Sequence, residues 1–562
     1  MTQTRDADAS AITIAEDELC FLPLGGSEEI GMNLYLYGLG GKWLMVDLGI
    51  SFGDETTPGI DVLMPDISFV EERRRDLLGI VLTHAHEDHF GAIQYLWPRL
   101  KCPIYATPFT AALLRLKLAE TEFARKVKIV EVPLSGQIEL GPFQVEYVAV
   151  THSIPEPNAL VLRTPLGTVV HSGDWKLDPH PQIGDPTDEA RLRAIGDEGV
   201  LAFVCDSTNA LVPGISGSEQ TVKEELTKLI GRLKGRIAIT CFSTNVARIR
   251  SIAEAAQAND RQCALIGRSL WRVYEAARQT GYMSETVPFL SESDAGYVPA
   301  DKIVLICTGS QGEPRSALSR IARDEHAHIV LEPGDTVIFS AREIPGNEKA
   351  IGRVQSQLIR LGVDIITPDD EMVHVSGHPA RDELTTLYQW LRPRIAVPVH
   401  GTPKHLLAHA RLAADCQVPE TVVPQDGAVI RLAPGPAEIL GYVSTGQLAL
   451  DGTRLIRLDN GVTRSRHRMN QEGAVVASLV VDNSGRLLAD PQMSLMGLLE
   501  AEEDEEQRRA LVTDVREAVE RLSKSARRDD DAVREAARLA IRRGIKAERG
   551  KRPLIQIQLV RI

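Results

Sequence analysis

The segment THAHEDH at residues 83–89 contains the residue types best suited to chemistry. It places three histidines and an aspartate within six positions, His84 to His89, directly after the apolar run GIVL. Imidazole nitrogens and carboxylate oxygens are ligands that zinc and manganese accept in proteins. Such a cluster is rare by chance, so the segment predicts a metal site at the end of a strand.

Other apolar runs also end in a candidate ligand. His152 follows VEYVAV, Asp174 follows TVVHSG, and His400 follows IAVPV. A single histidine after a strand is more often a hydrogen-bonded core or surface residue than a metal ligand. The repetition of this placement favours a metal centre, because ligands gather where strand ends meet.

The candidate ligands divide into two groups that share one carboxylate. The first predicted group is His84, His86 and His152. The second predicted group is Asp88, His89 and His400, with Asp174 bridging the two. Two cations about 3.5–4 Å apart can lower the pKa of a shared water and so supply a nucleophile at neutral pH. Asp47, which ends the run KWLMV, is predicted to orient a ligand histidine, and the alternative is a simple turn residue.

Short strands and helices are expected to position these ligands between residue 19 and about residue 210. Apolar runs bounded by Gly, Pro and Asp predict strands at 34–38, 42–49, 79–84, 143–153 and 168–174, and a helix at 110–122. The string GLGG at 38–41 is followed by a strand, so it predicts a hairpin turn and not a phosphate-binding loop. The pattern indicates an α/β domain, which we assign to residues 1–210.

An alternation of helices and strands indicates a second α/β unit at residues 211–365. The pattern predicts helices at 218–233 and 246–258 and strands at 236–241, 302–309 and 335–340. This alternation is typical of a parallel sheet. Because candidate histidines return at 374–405, the second unit is predicted to be inserted into the first domain, whose returning part is 366–450.

A polar, arginine-rich stretch at 451–465 is predicted to be a linker to a small α+β domain at 466–562. That domain is expected to contain strands within 473–488, helices at about 507–524 and 531–544, and a half-buried strand at 553–562. The acidic run EEDEE at 502–506 is expected to be a solvated segment before a helix, where it suits the helix dipole.

The composition is that of a large acidic protein, with 562 residues and a net charge of −14. The polar segment 1–10 and the lack of a run of about 18 apolar residues predict a cytoplasmic protein that does not enter a membrane. Acidity argues against a general nucleic-acid binder. However, residues 521–562 carry 13 Lys and Arg against 5 Asp and Glu, and bound cations would offset the carboxylates of a metal site. A local basic channel on an acidic protein is therefore compatible with the charge.

The spacing of the histidine segment and its downstream ligands resembles that of the metallo-β-lactamase fold. More local strings resemble the ribonuclease J family of β-CASP nucleases, namely GGSEEIGMN at 25–33, SGDWK at 172–176, DSTNA at 206–210, HVSGHP at 374–379 and PVHGTP at 398–403. The likeness extends from about residue 19 to the C-terminus. It implies an α/β fold: a metallo-β-lactamase αββα sandwich with an inserted β-CASP α/β domain and a small α+β C-terminal domain.

The resemblance also implies roles for residues in these strings. Asp206 matches the first β-CASP motif, His378 the second and His400 the third, a metal ligand. In that family the second-motif histidine, held by the acidic residue, is thought to protonate the leaving 3′ oxygen. The residues expected to be catalytic are Asp206, His378 and Asp88. The residues expected to bind RNA are His374, Val375, Ser376, Gly377 and His378 at the backbone near the cut, and Phe242, Ser243, Thr244 and Asn245 at the 5′-monophosphate.

The activity implied by the resemblance is that of a ribonuclease with two Zn²⁺ per subunit, with Mn²⁺ as the alternative metal. It is a 5′-to-3′ exonuclease that prefers 5′-monophosphate RNA and is also an endonuclease, acting in mRNA decay and rRNA maturation. Single-stranded RNA is the expected substrate. A homodimer, or a tetramer, is the expected assembly, and an RNA helicase or another degradosome protein is an expected partner.

Two other functions stay open at this stage. A metallohydrolase of small esters with the same fold would use the same ligands, but it would not need the inserted unit or the HVSGH segment. A non-catalytic RNA-binding subunit of a degradation complex would have lost its ligands. The intact ligand set weighs against the second alternative.

Overall fold

The computed structural model describes residues 15–499 and 505–562. The polar segment 1–10 and residues 502–504 of the acidic run lie outside the described residues. The chain forms two compact units, the first containing residues up to 51 together with 64–445, and the second containing 52–63 together with 446–562. Among the residues described, no helix is both long enough and apolar enough to span a membrane.

Short strands dominate the chain up to Asp206. The strands are β1 (Leu19–Gly25), β2 (Leu34–Leu39), β3 (Lys42–Val46), β4 (Ser51–Phe52), β5 (Val62–Pro65), β6 (Leu77–Val81), β7 (Ile104–Ala106), β8 (Ile129–Glu131), β9 (Gln137–Leu140), β10 (Phe143–Ala149), β11 (Asn158–Thr164), β12 (Gly167–His171) and β13 (Ala202–Asp206). The helices are α1 (Ser68–Glu72), α2 (Glu87–Phe90), α3 (Ile93–Leu100), α4 (Pro108–Leu118) and α5 (Glu189–Glu198). The strands predicted from apolar runs are confirmed.

Helices and strands alternate between Glu219 and Ile366. The helices are α6 (Glu219–Arg232), α7 (Val246–Gln257), α8 (Arg268–Gln279), α9 (Glu292–Ala295), α10 (Ala317–Ala322) and α11 (Glu348–Arg360). The strands are β14 (Ile237–Thr240), β15 (Gln262–Ile266), β16 (Ile303–Cys307), β17 (Thr336–Phe339) and β18 (Asp364–Ile366). They form a sheet in the order β15-β16-β14-β17-β18 in which neighbouring strands are parallel. The predicted parallel sheet is confirmed.

The chain then returns to the first sandwich. The returning elements are α12 (Arg381–Leu391), β19 (Ile395–Val399), α13 (Pro403–Asp415), β20 (Glu420–Thr421), β21 (Ala428–Ala433) and β22 (Glu438–Tyr442). They complete two sheets, ordered β22-β21-β1-β2-β3-β6-β7-β8 and β20-β19-β13-β12-β11-β10-β9. The insertion of the second α/β unit into this sandwich is thus confirmed.

The main core lies between the two sheets. Phe21 and Val46 from the first sheet pack in one buried cluster with Leu160 and Val204 from the second. Helices α5, α12 and α13 cover the outer face of the second sheet, and α1 packs on the first sheet, where Phe69 lies edge-on to a strand tryptophan. Strands with apolar residues on both faces need cover on both sides. The predicted αββα sandwich is confirmed.

The GLGG string forms the turn between β2 and β3. Leu39 pairs with Lys42 in an antiparallel ladder, and Gly40 and Gly41 have φ values of 61° and 68°. Two consecutive positive φ angles are the requirement of a type I′ hairpin turn, which glycine meets without steric cost. The predicted hairpin is confirmed.

The second unit contains the remaining elements. They are β23 (Gln447–Asp451), β24 (Arg454–Arg457), α14 (Gly461–Glu472), β25 (Ala474–Val481), β26 (Gln492–Met496), α15 (Glu505–Glu520), α16 (Asp530–Arg549) and β27 (Leu554–Arg561). Strands β25 and β27 run parallel, with β26 on the other side of β25. Buried side chains such as Leu479, Val515 and Ile541 join this sheet to α15 and α16. The predicted α+β tail is confirmed.

Two features of the second unit differ from the sequence prediction. Residues 52–63, assigned above to the first domain, contribute to a sheet ordered β24-β23-β5-β4, where Ile60 and Leu63 pack on Ala449. Residues 451–465, expected to be a linker, form β24 and the first part of α14. Their polar composition is typical of a linker. However, a turn closes the β23–β24 hairpin, and the side chain of Asn460 caps α14.

Candidate metal centre

The ends of several sandwich strands meet at one edge. His84 and His89 follow β6, His152 follows β10, Asp174 follows β12 and His400 follows β19. The donor atoms of these residues lie in clusters whose members are all within 4.8 Å of one another. The structure therefore brings together residues that are up to about 300 positions apart in sequence, as their repeated placement after strands predicted.

Three imidazole nitrogens converge in the first group. His86 Nδ1 lies 3.1 Å from His84 Nε2 and 3.0 Å from His152 Nε2. Nitrogens that share a tetrahedral zinc ion at the usual bond length would be about 3.3 Å apart. The three nitrogens thus have the spacing that one such cation would impose.

Asp174 faces both groups. Its Oδ2 lies 3.7 Å from Nε2 of His84 and 3.7 Å from Nε2 of His152. Its Oδ1 lies 3.3 Å from Nε2 of His89 and 3.5 Å from Nε2 of His400. One carboxylate oxygen therefore points to each group, which is the arrangement required of a bridging ligand.

Asp88 completes the second group from a more open position. Its Oδ2 lies 3.6 Å from His89 Nε2 and 3.8 Å from His400 Nε2, and 30% of its side chain is exposed. The other members of this group are buried. Asp88 is accordingly the most exposed member of the second group.

The protonation of the histidines in the first group suits metal binding, whereas in the second group the carboxylates of Asp174, Asp88 and Asp47 outweigh burial and raise the pKa of His89 well above its usual value. Burial, together with neighbouring imidazoles, lowers the pKa of His84 and His152 well below the usual value, and burial lowers the pKa of His86 to about 4. Burial alone would raise the pKa of Asp174, but the charges of His89 and His400 hold it well below its usual range. Neutral imidazoles beside an ionised carboxylate are the forms that ligate a cation.

Two atoms of the cluster show that the protein alone does not satisfy it. Asp174 Oδ1 and His400 Nε2 are buried and have no hydrogen-bond partner among the described residues. Unsatisfied buried polar atoms cost free energy and are rare in folded proteins. Both atoms point into the second group, so the residues present fit a divalent cation.

Asp47 lies beneath the ligands in the position expected of an orienting carboxylate. Nδ1 of His89 donates to Asp47 Oδ2 at 2.7 Å, and the backbone N–H and hydroxyl of Thr83 donate to the same carboxylate at 2.8 Å each. Thr83 Oγ1 in turn lies 2.9 Å from His84 Nδ1. One buried aspartate therefore fixes a histidine of each group and directs its Nε2 toward the cluster.

His378 forms a close pair with Asp206 beside the ligands. Its Nδ1 donates to Asp206 Oδ2 at 2.7 Å, while Asp206 Oδ1 accepts from the Thr208 N–H at 2.8 Å. The His378 ring centroid lies 5.1 Å from that of His152. Burial would lower the pKa of His378, but the carboxylates of Asp206 and Asp174 raise it to about 9. The pair can hold a proton next to the cluster.

The HVSGH segment carries His378 and also touches a ligand. The Gly377 carbonyl accepts from His152 Nδ1, and a Cβ on Gly377 would lie 2.7 Å from the His152 ring. Asn209 Nδ2 donates to Ser376 Oγ at 2.7 Å and to the His378 carbonyl at 3.0 Å. Sequence reasoning quoted the DSTNA string that contains Asn209 but gave this side chain no role.

The second predicted RNA-binding segment, Phe242 to Asn245, follows β14, the central strand of the inserted sheet. It does not belong to the strand ends of the sandwich that carry the candidate ligands. It connects β14 to α7, where Asn245 Oδ1 accepts from the Arg248 N–H and caps the helix. Arg248 is fully buried and donates to the carbonyl of Val373 at 2.9 Å. Sequence reasoning missed Arg248, which ties α7 to the HVSGH segment.

His374 lies beside this arginine in a positively charged surrounding. Burial and the charges of Arg248 and Arg342 hold the pKa of His374 well below its usual value, and its buried Nδ1 has no hydrogen-bond partner among the described residues. Val375 is also buried. The first member of the HVSGH segment is thus a neutral imidazole turned toward cationic groups.

Family models match almost the whole length of the chain. The model for "Metallo-beta-lactamase superfamily" matches residues 31–226, and that for "Ribonuclease J, beta-CASP domain" matches 234–358. The model for "Zn-dependent metallo-hydrolase RNA specificity domain" matches 370–419, and that for "Ribonuclease J C-terminal domain" matches 461–562. Their order is that of a metallo-β-lactamase domain with an inserted β-CASP domain and a C-terminal domain.

Relatives named ribonuclease J are similar over nearly full length. The protein from Sinorhizobium meliloti is 48% identical over 552 residues, which cover 97% of this chain and 98% of the relative. The one from Mycolicibacterium smegmatis is 42% identical over 82% of this chain and 83% of its own length. Ribonuclease J 1 from Streptococcus pyogenes is 34% identical over 94% and 95% of the two chains.

A solved structure shares the fold. The crystal structure of a protein of unknown function from Enterococcus faecalis superposes with a TM-score of 0.52 at 16% identity, covering 74% of this chain and 100% of that one. The family models, the relatives and the sandwich with its inserted sheet agree, and the chain belongs to the ribonuclease J family of the metallo-β-lactamase superfamily.

Proposed function

We propose that this protein is a metal-dependent ribonuclease that hydrolyses RNA phosphodiesters at the His/Asp cluster. The observation that carries the proposal is the placement of a proton donor against the ligands. Donor atoms of Asp206 and His378 lie within 4.8 Å of those of Asp174 and His400. A hydrolase of small esters would not need this histidine on a segment that returns from an inserted domain.

His378 protonates the leaving group in this proposal. Its Nδ1–H is held by Asp206, so the proton on Nε2 is free to pass to the 3′ oxygen. The oxygen of water bonds to phosphorus and one proton of that water passes to solvent, while the bond from phosphorus to the 3′ oxygen breaks and the proton from His378 completes the 3′ hydroxyl. His378 then regains a proton from solvent. The products are a 5′-phosphate end and a 3′-hydroxyl end.

The metal ligands in the proposal are those predicted above: His84, His86, Asp88, His89, His152, Asp174 and His400. Two Zn²⁺, or Mn²⁺ in their place, would supply positive charge and a lowered pKa for bound water. Asp47 keeps the ligand histidines oriented, and Asp88 lies at the open side of the site.

The RNA contacts are also proposals. The backbone near the cut is assigned to the segment from His374 to His378, which Asn209 and Arg248 hold in place. The 5′-monophosphate is assigned to Phe242, Ser243, Thr244 and Asn245, which lead into the N-terminus of α7, because a helix N-terminus favours a bound anion. Arg248 supports both segments, so they would receive one strand together.

The finer activity rests on the family. We propose 5′-to-3′ exonuclease action on single-stranded 5′-monophosphate RNA together with endonuclease action, in mRNA decay and rRNA maturation in the cytoplasm. A homodimer or tetramer and a helicase or other degradosome partner belong to the same proposal. Apart from residues 52–63 and 446–450, which fold with the second unit, the domain assignment proposed with it is 1–210 and 366–450 for the catalytic domain, 211–365 for the insert and 466–562 for the C-terminal domain.

The test uses one RNA sequence with a 5′-monophosphate or a 5′-triphosphate. The wild type is expected to release mononucleotides faster from the monophosphate RNA, and His86→Ala is expected to release none. His180→Ala, which changes an exposed histidine outside the cluster, is the matched control and should behave as the wild type. Mononucleotide release that survives in His86→Ala, or no release by the wild type, would contradict the proposal.

A further inference from the structure

A buried chain of three polar side chains lies behind the Asp206–His378 pair. Nδ1 of His409 lies 2.8 Å from Ser207 Oγ, and its Nε2 lies 2.9 Å from the Tyr388 hydroxyl. Ser207 and His409 are completely buried, and Tyr388 is 2% exposed. Tyr388 belongs to α12 and His409 to α13, so two helices of the returning segment converge on the residue next to Asp206.

The hydrogen-bond partners define the tautomer of His409. Burial lowers its pKa to about 4, so the ring is neutral at physiological pH. If the Tyr388 hydroxyl donates to Nε2, then Nδ1–H donates to Ser207 Oγ, and the serine hydroxyl can donate to the Cys205 carbonyl at 3.4 Å. The opposite tautomer would leave the Tyr388 proton without an acceptor among the described residues.

Ser207 lies between two parts of the proposed active site. On one side it directly follows Asp206 in the sequence, and Asp206 Oδ1 accepts a hydrogen bond from the N–H of Thr208. On the other side, a Cβ added to Gly401 would lie 3.2 Å from the Ser207 Cβ, and Thr208 Oγ1 donates to the His400 carbonyl. A shift of Ser207 would therefore displace the partner of the acid and the segment of a proposed ligand together.

A buried polar chain is costly unless each member is satisfied, and when satisfied it fixes one arrangement of the groups around it. An apolar side chain at position 409 would fill the same space without that constraint. Ser207 would then lose a hydrogen bond, and the carboxylate of the adjacent Asp206 would be held less tightly in line with His378. The neutral, fully bonded imidazole is thus suited to orientation and not to proton transfer.

We propose that His409 is a positioning residue for the protonation of the leaving group. It fixes Ser207, and through it the carboxylate that orients His378. The inference rests on the proposed role of His378 as proton donor. The variants that test it are His409→Leu, which removes both hydrogen bonds, and His409→Asn, whose amide N–H replaces Nδ1–H toward Ser207. Tyr388→Phe removes only the donor to Nε2.

The experiment compares an RNA with its natural 3′ oxygen leaving group and the same RNA with a 3′ sulfur, which leaves without protonation. On the oxygen substrate, His409→Leu is expected to lower kcat about 10- to 100-fold, within the range of general acid catalysis, with KM changed less than about twofold. On the sulfur substrate the loss should fall below about threefold. His409→Asn should recover most of kcat, and Tyr388→Phe should lose less than His409→Leu.

The control is His378→Ala, measured on both substrates. If sulfur rescues His378→Ala but not His409→Leu, the positioning role is wrong while the proposed function stands. If sulfur does not rescue His378→Ala, the proposed acid itself is wrong. Metal content and unfolding temperature are measured for each variant. If His409→Leu does not fold, Tyr388→Phe decides, and its loss of kcat should be larger on the oxygen substrate than on the sulfur substrate. Equal losses on both substrates, or no loss on either, would then overturn the inference.

Discussion

The carbonyl oxygen of Gly377 accepts a hydrogen bond from Nδ1 of His152. One group belongs to the segment assigned to RNA and the other to the proposed metal ligands. A histidine whose Nδ1–H is held in this way presents its Nε2 lone pair to a cation. A change in the RNA-binding segment is therefore expected to reach the metal centre directly.

Gly377→Ala tests this connection. A Cβ at position 377 would lie 2.7 and 2.8 Å from two atoms of the His152 ring, so the ring or the loop must move. We expect metal affinity of the first ligand group to fall about tenfold, within the range for loss of an orienting partner. Titration of the metal-free protein with Zn²⁺ in a calorimeter measures it.

Gly352→Ala is the matched control for this substitution. Gly352 lies inside α11, and a Cβ there would meet nothing within 4 Å. Alanine should leave metal affinity unchanged and stabilise the helix by up to about 1 kcal/mol. Equal metal affinity in the two alanine variants would show that Gly377 does not support His152.

Asp47→Asn should weaken both ligand groups. The amide cannot accept as strongly from His89, and it disturbs the Thr83 hydroxyl that contacts His84. We expect metal affinity to fall about 10- to 100-fold. Asp76→Asn, at an exposed ion pair with Lys42, is the control and should bind metal normally. Unchanged metal content in dialysed Asp47→Asn would contradict the orienting role.

Removal of metal should destabilise the protein. Without a cation, Asp174 Oδ1 and His400 Nε2 stay buried and unsatisfied. A ligand at about 100 times its dissociation constant adds about 2.7 kcal/mol to the folded state. The unfolding temperature should therefore fall with a chelator and return with added Zn²⁺ or Mn²⁺. His86→Ala should respond much less, and an equal response would place the bound metal elsewhere.

The carboxyl groups of Glu29 and Asp426 predict that the free energy of unfolding depends on pH. Burial raises the pKa of Glu29 to about 7, and burial and the charge of Glu29 raise the pKa of Asp426 well above its usual value. Between about pH 4.3, the usual value for Glu, and pH 7, the folded state binds more protons than the unfolded state. Stability therefore falls as pH rises through this window.

Glu29→Gln removes the free-energy cost of ionising this buried carboxyl group. Its unfolding temperature relative to wild type should be nearly unchanged at pH 5 and higher at pH 8. Glu285→Gln, at an exposed position in the inserted unit, should show no such difference. If Glu29→Gln is no more stable than wild type at pH 8, then the glutamate is ionised at no cost in the folded protein.

The sequence predicted the sandwich strands and the clustering of the candidate ligands because both follow local rules. Apolar runs of strand length ended in His152, Asp174 and His400, and the strand edge brings such residues together. The partners that orient them follow no local rule. Asn209 contacts His378, Arg248 contacts Val373 and His409 contacts Ser207. These partners are 169, 125 and 202 positions away, and nothing in the local sequence distinguishes the three residues from ordinary polar positions.

The placement of residues 52–63 was not predictable for a similar reason. Ile60 and Leu63 resemble ordinary core residues of the first domain, and their contact with Ala449 joins positions nearly 400 residues apart. A sheet assembled from distant strands leaves no periodic signal that identifies the partner strand.

The pairing of residues 52–63 with β23 and β24 has a consequence for truncation of the protein. A chain cut after residue 445 would lose β23 and β24 but keep β4 and β5, leaving Ile60 and Leu63 without the side chains that cover them. The newly exposed strand edge would be that of β5, which lies between Asp47 and His84 in the sequence. A truncation that removes the C-terminal region must therefore also account for residues 52–63, which fold with that region and not with the sandwich.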